Sequence, residues 1–284
     1  MPASSLAAAD LMSSPVFVVA PGDTVAHARN MMVRHKISRV LVMDAGNLTG
    51  ILTKKDIGYR LQQPGPAWRR RTPDRIPVAE YATPDPVTVA PPTLAKTVAG
   101  LFLARNISGV PVVDHGTVVG IITKSDLMKS ALVAGLKGMV RDAMEDAETV
   151  NRWHSLAHVV ALMKERNEKL VVTNNDGSVA GLITETNLAF HEESRRRPGR
   201  NPDEEAVRKH EQSGTGSRSD AAGTAPVTAG DVMSGPAITV APVSTLLYAV
   251  ELMQREQVNN LVVVENNTLV GILKRDDIIK EVAK

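Results

Sequence analysis

The stretch Gly120-Ile121-Ile122-Thr123-Lys124-Ser125-Asp126-Leu127 decides the fold, because the chain contains four versions of it. The other three lie at residues 50–57, 181–188 and 271–278. Each begins with a glycine and a short apolar run, which predicts a strand. Thr, or Lys in the fourth copy, then stands three residues before Asp or Asn, and this spacing is typical of a helix cap. The stretch therefore predicts a strand that leads directly into a capped helix.

A strand that ends at a helix start can form a site for a nucleotide. The first turn of a helix has free backbone N–H groups and the positive end of the helix dipole, which favour a phosphate. An acid beside it can accept hydrogen bonds from the two hydroxyls of a ribose, as in dinucleotide folds. The alternative is structural, because a capping Thr with an acid in the first turn needs no ligand.

The repeated stretch belongs to a longer unit with constant spacing. One alanine lies 18 residues before a turn residue, and the glycine lies 12 residues after that turn residue, in three copies: Ala20, Ser38 and Gly50; Ala90, Ser108 and Gly120; Ala241, Asn259 and Gly271. The third copy needs one extra residue, which we place in the turn at 174–177. Each unit is predicted to form a strand, a helix, two strands and a helix.

Composition restricts the classes of function. With 284 residues and 43% hydrophobic residues, the chain can form two ordinary domains with aliphatic cores. The absence of cysteine excludes disulfides, thiolate catalysis and Cys-ligated zinc. Aromatic residues at 3% and a net charge of +2 argue against a nucleic-acid-binding surface over the whole chain. No run of about 18 apolar residues occurs, so we expect a soluble, cytoplasmic protein without a membrane span.

The order of elements, the Asp-Leu-Met and Asp-Val-Met openings at 10–12 and 231–233, and the repeated glycine stretch resemble the cystathionine β-synthase (CBS) domain. The resemblance covers about residues 10–190 and 227–284. It implies an α/β (α+β) fold with four β-α-β-β-α CBS repeats, paired into two pseudo-twofold Bateman modules whose clefts bind adenosine-containing ligands. Four repeats without a catalytic domain look most like the γ subunit of AMP-activated protein kinase and its archaeal relatives.

The repeats give the predicted domain boundaries. Units 1, 2, 3 and 4 are predicted at residues 10–62, 78–134, 138–190 and 227–284, so that module one is 1–134 and module two is 138–284. The linker at 62–77 contains four prolines and the run Arg69 to Arg71. Residues 191–226 are rich in charged and small residues and have almost no large apolar ones, which predicts a disordered insert.

The resemblance also implies which residues bind the ligand. Asp56 and Asp126 would hold ribose hydroxyls, and Thr53 and Thr123 would contact ribose or phosphate. The base would lie between a leading segment and a turn, which are Ser14, Pro15, Val16 with Ile37, Ser38, Arg39 in unit 1, and Pro86, Val87 with Ile107, Ser108, Gly109 in unit 2. The corresponding residues of units 3 and 4 are Thr184, Asn187, Asn259 and Asp277.

Two predicted residues are cations, and two units depart from the pattern. Arg39 and Lys124 would face phosphates, and the alternative for each is an ordinary solvated side chain. Unit 3 has Asn187 in place of the acid, which loses the charge that strengthens hydrogen bonds to hydroxyls. Unit 4 has Lys274 in place of the Thr. Module one is therefore predicted to contain the better sites.

The leading functional hypothesis is a non-enzymatic sensor, because no nucleophile, P-loop or paired acid and base is evident. AMP, ADP and ATP are the expected regulatory ligands, S-adenosylmethionine is the alternative ligand, and no catalytic cofactor is expected. The regulated protein partner cannot be identified from the sequence, and the chain can act as a monomer or a homodimer.

Other classes of function remain open. Nucleic-acid binding would use the arms at 68–71 and 195–197. Nucleotides could also be purely structural. His154 and His158 lie four residues apart without an evident third metal ligand.

Overall fold

The computed structural model describes residues 5–61, 71–166, 169–188 and 227–284. Its helices are Ala8–Leu11, Val25–Arg34, Lys54–Leu61, Ala95–Ala104, Lys124–Lys129, Val140–Ala143, Leu156–Arg166, 185–188, Ala229–Val232, Leu246–Arg255 and Arg275–Ala283. Its strands are Val18–Val19, Arg39–Asp44, Asn47–Thr53, Thr83–Pro84, Gly109–Asp114, Thr117–Thr123, Glu148–Asn151, Leu170–Thr173, Val179–Ile183, Thr239–Val240, Asn260–Glu265 and Thr268–Lys274. The mixed α/β class is confirmed, and the predicted insert at 191–226 lies outside the described residues.

Each unit has a small sheet built around one buried strand. In unit 1, Val18 pairs in parallel with Leu41, and Leu41 pairs antiparallel with Ile51. Val40, Leu41 and Val42 are all buried, so this strand is covered on both faces and needs a continuous apolar run. Helix Val25–Arg34 covers one face with its own buried residues.

Unit 2 departs from the predicted order at its first strand. Only Val89 forms a bridge there, in parallel with Val112. In unit 1 the N–H of Leu41 donates to the carbonyl of Phe17 at 3.0 Å. The residue equivalent to Leu41 in unit 2 is Pro111, which has no N–H to donate, so the pairing is shortened to a bridge.

The units pair by exchanging their leading segments. Ala8, at the start of unit 1, donates its N–H to the carbonyl of Thr93 in unit 2 at 2.8 Å, and Val78 donates to Asp23 in unit 1 at 2.7 Å. Module two repeats the exchange with the pairs Val140 to Ser244 and Ala229 to His154, both at 2.8 Å. The exchange joins unit 1 to unit 2 and unit 3 to unit 4, as the resemblance implied.

The exchange explains why the repeated stretch begins with glycine. A Cβ on Gly181 would lie 2.5 Å from the carbonyl oxygen of Ser234 in the leading segment of unit 4. A Cβ on Gly271 would lie 2.7 Å from the carbonyl oxygen of Glu145 in unit 3. Each glycine thus allows the backbone of the paired unit to approach closely.

A side chain at this glycine should weaken the module. We expect Gly181→Ala to lower the free energy of unfolding by roughly 1–2 kcal/mol, because a backbone carbonyl must move. Gly100→Ala is the matched control, since a Cβ there meets nothing within 4 Å in the middle of a helix, and it should stabilise by about 0.5–1 kcal/mol. Urea unfolding of both variants measures the difference, and equal changes would contradict the role of the glycine.

The two modules meet through a shared hydrophobic core. One cluster of buried residues contains Val98 and Phe102 from unit 2 together with Leu246, Ile278 and Ile279 from unit 4. Helix Arg275–Ala283 packs against the unit 2 helices Ala95–Ala104 and Lys124–Lys129. Units 1 and 3 instead have separate clusters of their own. Units 2 and 4 therefore form the apolar side of the contact between modules.

Candidate functional site

The leading segment of one unit faces the repeated stretch of its paired unit. Ser13, which precedes the predicted Ser14 to Val16 segment of unit 1, donates through Oγ to Asp126 Oδ1 of unit 2 at 3.3 Å. In module two, Asn187 Nδ2 of unit 3 donates to Ser234 Oγ of unit 4 at 2.9 Å. Each cleft is therefore built by two units, a crossing that the sequence analysis did not specify.

The predicted acids also cap their helices. The N–H of Thr123 donates to Asp126 Oδ2 at 2.8 Å, and the N–H of Thr53 donates to Asp56 Oδ2 at 2.9 Å. Both threonine hydroxyls donate to the same oxygen at 2.6 Å. The cap uses Oδ2 of each carboxylate, so ribose binding through Oδ1 is compatible with it, although at Asp126 the ribose would compete with the hydroxyl of Ser13.

A cavity of about 850 Å³ lies where all four units meet. A volume of this size suits a small-molecule ligand such as a nucleotide. The predicted site residues that line it are Ser38, Arg39, Thr53, Asp56, Ile107, Ser108, Gly109, Lys124, Thr184, Asn187, Asn259 and Asp277. The predicted residues outside its lining are Ser14, Pro15, Val16, Ile37, Pro86, Val87, Thr123 and Asp126. The cavity thus brings together the acid of unit 1 and the turn of unit 2.

The cavity carries an excess of positive charge. Its lining has eight basic side chains, which are Arg39, Lys54, Lys55, Lys124, Lys169, Lys274, Arg275 and Lys280. It has five acidic ones, which are Asp56, Glu145, Glu185, Asp276 and Asp277. The net of three positive charges favours an anionic ligand.

Arg39 crosses from the turn of unit 1 to the turn of unit 2. Its Nη2 donates to Ser108 Oγ at 2.9 Å. A Cβ on Gly109, the residue equivalent to Arg39, would lie 2.5 Å from Nη1, so glycine at this position in unit 2 leaves the space that the arginine of unit 1 occupies. Burial, and then repulsion from Arg275, lowers the pKa of Arg39 to about 10. The side chain is therefore held in the junction between units.

Two helix starts join the modules through polar contacts. Lys124 Nζ of unit 2 lies 2.8 Å from Asp276 Oδ1 of unit 4. Arg275 Nη1 of unit 4 donates to Ser125 Oγ of unit 2 at 2.9 Å. Burial lowers the pKa of Lys124, and Asp276 partly offsets this effect. Of these residues, Lys124 was predicted from the sequence to belong to the site, whereas Asp276 and Arg275 were not.

An equivalent contact involves units 1 and 3. Lys169 and Glu185 of unit 3 form an ion pair, and Lys55 of unit 1 is close enough to Glu185 for the acid to raise its pKa, although burial lowers that pKa overall. These charges line the same cavity as the contact between units 2 and 4. Basic and acidic side chains from all four units therefore meet there.

The cleft of unit 4 is filled by an ion network. Glu145 Oε2 lies 2.9 Å from Lys274 Nζ, and Glu145 also pairs with Lys280. Lys280 Nζ in turn lies 3.0 Å from Oδ1 of Asp277, which is only 1% exposed. From the sequence, Lys274 was noted as a departure and Asp277 was predicted as a site acid, whereas Glu145 and Lys280 were not predicted. In the structure this acid is paired with a lysine, and its role in binding ribose stays a prediction.

This network should make stability depend on pH. Burial raises the pKa of Asp277 to about 6 from an ordinary 3.8, so the folded protein holds a proton there that the unfolded chain releases. Stability from this group is therefore lost as pH rises from about 4 to about 6. Hydrogen bonds from Lys274 and Lys280 lower the pKa of Glu145 to about 2, and that contribution is instead lost as pH falls below 4.5.

We expect the free energy of unfolding of the wild type to fall relative to that of Asp277→Asn between pH 4 and pH 6. Urea titrations at several pH values measure it, with Asp142→Asn, an exposed helix-capping acid, as the control. Parallel curves for wild type and Asp277→Asn would contradict the assignment.

The amide of unit 3 is engaged with its own module. Asn187 Nδ2 donates to the carbonyl of Val232 and to Ser234 Oγ, both at 2.9 Å. Its Oδ1 accepts from the N–H of Thr184 at 2.9 Å. Asparagine, unlike aspartate, has side-chain N–H donors, and here they connect unit 3 to unit 4.

The basic arms and the histidine pair were the alternative candidate sites. Arg71 pairs with Glu80 at the exposed surface, and the remaining arginines of both basic arms lie outside the described residues. His154 and His158 have ring centroids 4.8 Å apart in an edge-to-face contact. Within the described ranges, no cluster of three potential His, Cys, Asp or Glu metal ligands occurs. Among those same residues, no helix is both long and apolar enough to span a membrane.

Comparison with known proteins identifies the repeat. The family model described as "CBS domain" matches residues 8–61, 78–132 and 229–284, which is more than half of the chain. The third unit lies between these matches and has the same order of strands around its central helix.

Two curated relatives each match less than half of the chain. CBS domain-containing protein YhcV of Bacillus subtilis is 29% identical over 118 residues, which cover 42% of this chain and 80% of YhcV. The A-adding tRNA nucleotidyltransferase of Geobacter sulfurreducens is 29% identical over 122 residues, covering 43% of this chain and 13% of that enzyme. The chain thus spans only a small part of that enzyme.

A solved structure shares the whole arrangement. Protein MJ1225 of Methanocaldococcus jannaschii, proposed as an archaeal homologue of g-AMPK, superposes with a TM-score of 0.77 and 21% identity. The match covers 97% of this chain and 99% of MJ1225, so the two proteins share the four-unit fold. The family match, the repeated units and their exchanged leading segments agree, and the chain belongs to the CBS domain family.

Proposed function

We propose that this protein is a non-enzymatic regulatory protein that binds adenine nucleotides where its CBS units meet. The observation that carries the proposal is the junction cavity, which combines the ribose-type acid Asp56 with an excess of cations. Such a site can hold a sugar at one end and phosphates at the other. AMP, ADP and ATP fit this chemistry as regulatory ligands, and the cavity needs no catalytic cofactor to bind them.

The best-supported cleft uses the acid of unit 1 and the turn of unit 2. Asp56 and Thr53 would hold the ribose, and the turn from Ile107 to Gly109, together with Pro86 and Val87, would contact the base. Arg39 lies beside Ser108 and would face the phosphates with a planar set of donors. We propose the equivalent roles for Asp126, Thr123, residues 14–16 and residues 37–39 in the second cleft of module one.

We propose that module two contributes less binding. Asp277 is buried and paired with Lys280, and the donors of Asn187 are already used within the module. A ligand would have to displace these contacts before it reached either side chain. The free energy of binding would be reduced by that cost.

Isothermal calorimetry with AMP, ADP, ATP and S-adenosylmethionine tests the proposal. We expect binding by at least one phosphate-bearing nucleotide, with a stoichiometry set by the module-one clefts. S-adenosylmethionine as the only ligand would replace the adenine-nucleotide assignment, and no binding by any of the four at millimolar concentration would overturn the proposal. Gel filtration with and without ligand would show whether the chain acts as a monomer or a homodimer.

A further inference from the structure

Three cations that line the cavity come from three different units. Arg39 comes from unit 1, Lys124 from unit 2 and Arg275 from unit 4. Arg275 is close enough to Arg39 that its positive charge, after burial, contributes to the low pKa of Arg39. Asp276 pairs with Lys124, and the charge of Asp126 acts on both arginines, where it raises their pKa against the effect of burial.

The pair between Lys124 and Asp276 is unequal in burial. The Lys124 side chain is 4% exposed, whereas the Asp276 side chain is 42% exposed. A buried ammonium group loses most of its hydration, so it needs an anion, while a half-exposed carboxylate can return to water. The acid can therefore leave this contact at lower cost than the lysine can.

The guanidinium of Arg275 has one hydrogen-bond donor that is not used by the described residues. Arg275 Nη1 is used by Ser125 and Asn259, both at 2.9 Å. The Nε of Arg275 is buried and has no hydrogen-bond partner among the described residues. A buried donor without a partner is rare in folded proteins and carries a desolvation cost that an acceptor would remove.

We propose that Asp276 is a built-in competitor for the phosphate of the ligand: its carboxylate holds Lys124 in the free protein, and an incoming phosphate displaces it. The inference rests on the proposed function and adds its regulation. A nucleoside without phosphate cannot make this exchange, so Asp276 lowers the affinity of phosphate-bearing ligands and leaves that of nucleosides unchanged. Because Lys124 and Asp276 belong to different modules, displacement removes a contact between modules and couples binding to their arrangement.

Asp276→Asn in the full chain tests the exchange. The variant should bind AMP about fivefold more tightly by calorimetry, the size expected for removal of a partly exposed competing ion pair, and should bind adenosine with unchanged affinity. Glu281→Gln is the matched control, because it removes the same charge from the same helix, but Glu281 pairs with Lys284 and lies outside the lining of the cavity. Equal changes for AMP and adenosine, or no change for AMP, would overturn the proposal.

Lys124→Met provides an independent variant of similar length. It should reduce the preference for AMP over adenosine without abolishing it, because Arg39 remains to face the phosphate. Adding Asp276→Asn to it should have no further effect on AMP affinity, since the competition requires the lysine. A fivefold gain in AMP affinity from Asp276→Asn in the absence of Lys124 would show that the acid acts elsewhere and would overturn the proposal.

Inorganic tripolyphosphate separates this inference from the proposed function. If no nucleotide binds the wild type, a larger rise in melting temperature with tripolyphosphate for Asp276→Asn than for wild type would still support competition at Lys124. In that case only the adenosine-ligand assignment fails. Equal shifts with tripolyphosphate in the two proteins would overturn the role of Asp276.

Discussion

The Asp56→Ala variant is expected to bind AMP about 30-fold more weakly at its cleft than the wild type. A carboxylate that accepts two hydrogen bonds from ribose hydroxyls contributes roughly 1.5–3 kcal/mol for each bond. Water can replace part of this in an open cleft, which leaves a loss of about 2 kcal/mol. Calorimetry measures the affinity, and Asp126→Ala should show the same loss if the second cleft of module one is occupied.

The cap made by Asp56 requires a separate control. Asp142 accepts the N–H of Met139 at 2.8 Å in the same capping arrangement, but it lies outside the lining of the cavity. Asp142→Ala should lose about 0.5–1 kcal/mol of stability and leave AMP affinity unchanged. Asn187→Ala should also bind AMP nearly as the wild type does. If Asp56→Ala binds AMP normally and only melts lower, the acid is a cap and the proposed site is wrong.

The repeat could be predicted from the sequence because it depends on local chemistry. Glycine, an apolar strand and a Thr-to-Asp cap recur at fixed spacing, and each feature acts within about eight residues. The structure forms the predicted strands and helices at these positions, with Lys54–Leu61 and Lys124–Lys129 directly after their strands. Pro111 is the exception. Proline has no backbone N–H, and this lack shortens the strand pairing only where a neighbouring strand would accept from it, which the local sequence does not show.

The arrangement of the site could not be predicted in the same way. The sequence marks Asp56 and Asp126 equally, but only Asp56 lines the junction cavity, because that depends on which face of module one meets module two. Asp276 is likewise an ordinary first-turn acid until Lys124 of the other module is placed against it. Contacts between units far apart in the chain decide both results.

One distant contact did leave a signal in the sequence. Glu145 occupies the position equivalent to Ser13 in unit 1, and Lys274 occupies the position equivalent to Thr123 in unit 2. Opposite charges replace two small hydroxyl residues in the same cleft, and the structure shows them 2.9 Å apart. Two departures with opposite charge, one in each unit of a module, therefore predict an ion pair of side chains in the cleft of unit 4.

The Phe102→Ala variant is expected to lose about 3–5 kcal/mol of stability, the largest effect among these variants. Phe102 is completely buried and belongs to the core that unit 2 shares with unit 4. Its removal leaves a cavity beside the contact between helices Ala95–Ala104 and Arg275–Ala283, because packed neighbours relax only partly. The variant should therefore weaken the junction between modules as well as unit 2 itself, and AMP affinity should fall with it.

Met32→Ala gives the matched comparison. Met32 is the residue equivalent to Phe102 in unit 1, it is equally buried, and its core cluster contains no residue of module two. Met32→Ala should lower the free energy of unfolding by about 2–5 kcal/mol through the core of unit 1. Hydrogen exchange distinguishes the two variants when they are compared at matched global stability. The amides of Arg275–Ala283 should lose more protection in Phe102→Ala than in Met32→Ala. Equal protection of that helix in both variants would mean that the shared core does not link the modules, and that the ion pairs at the junction hold them together alone.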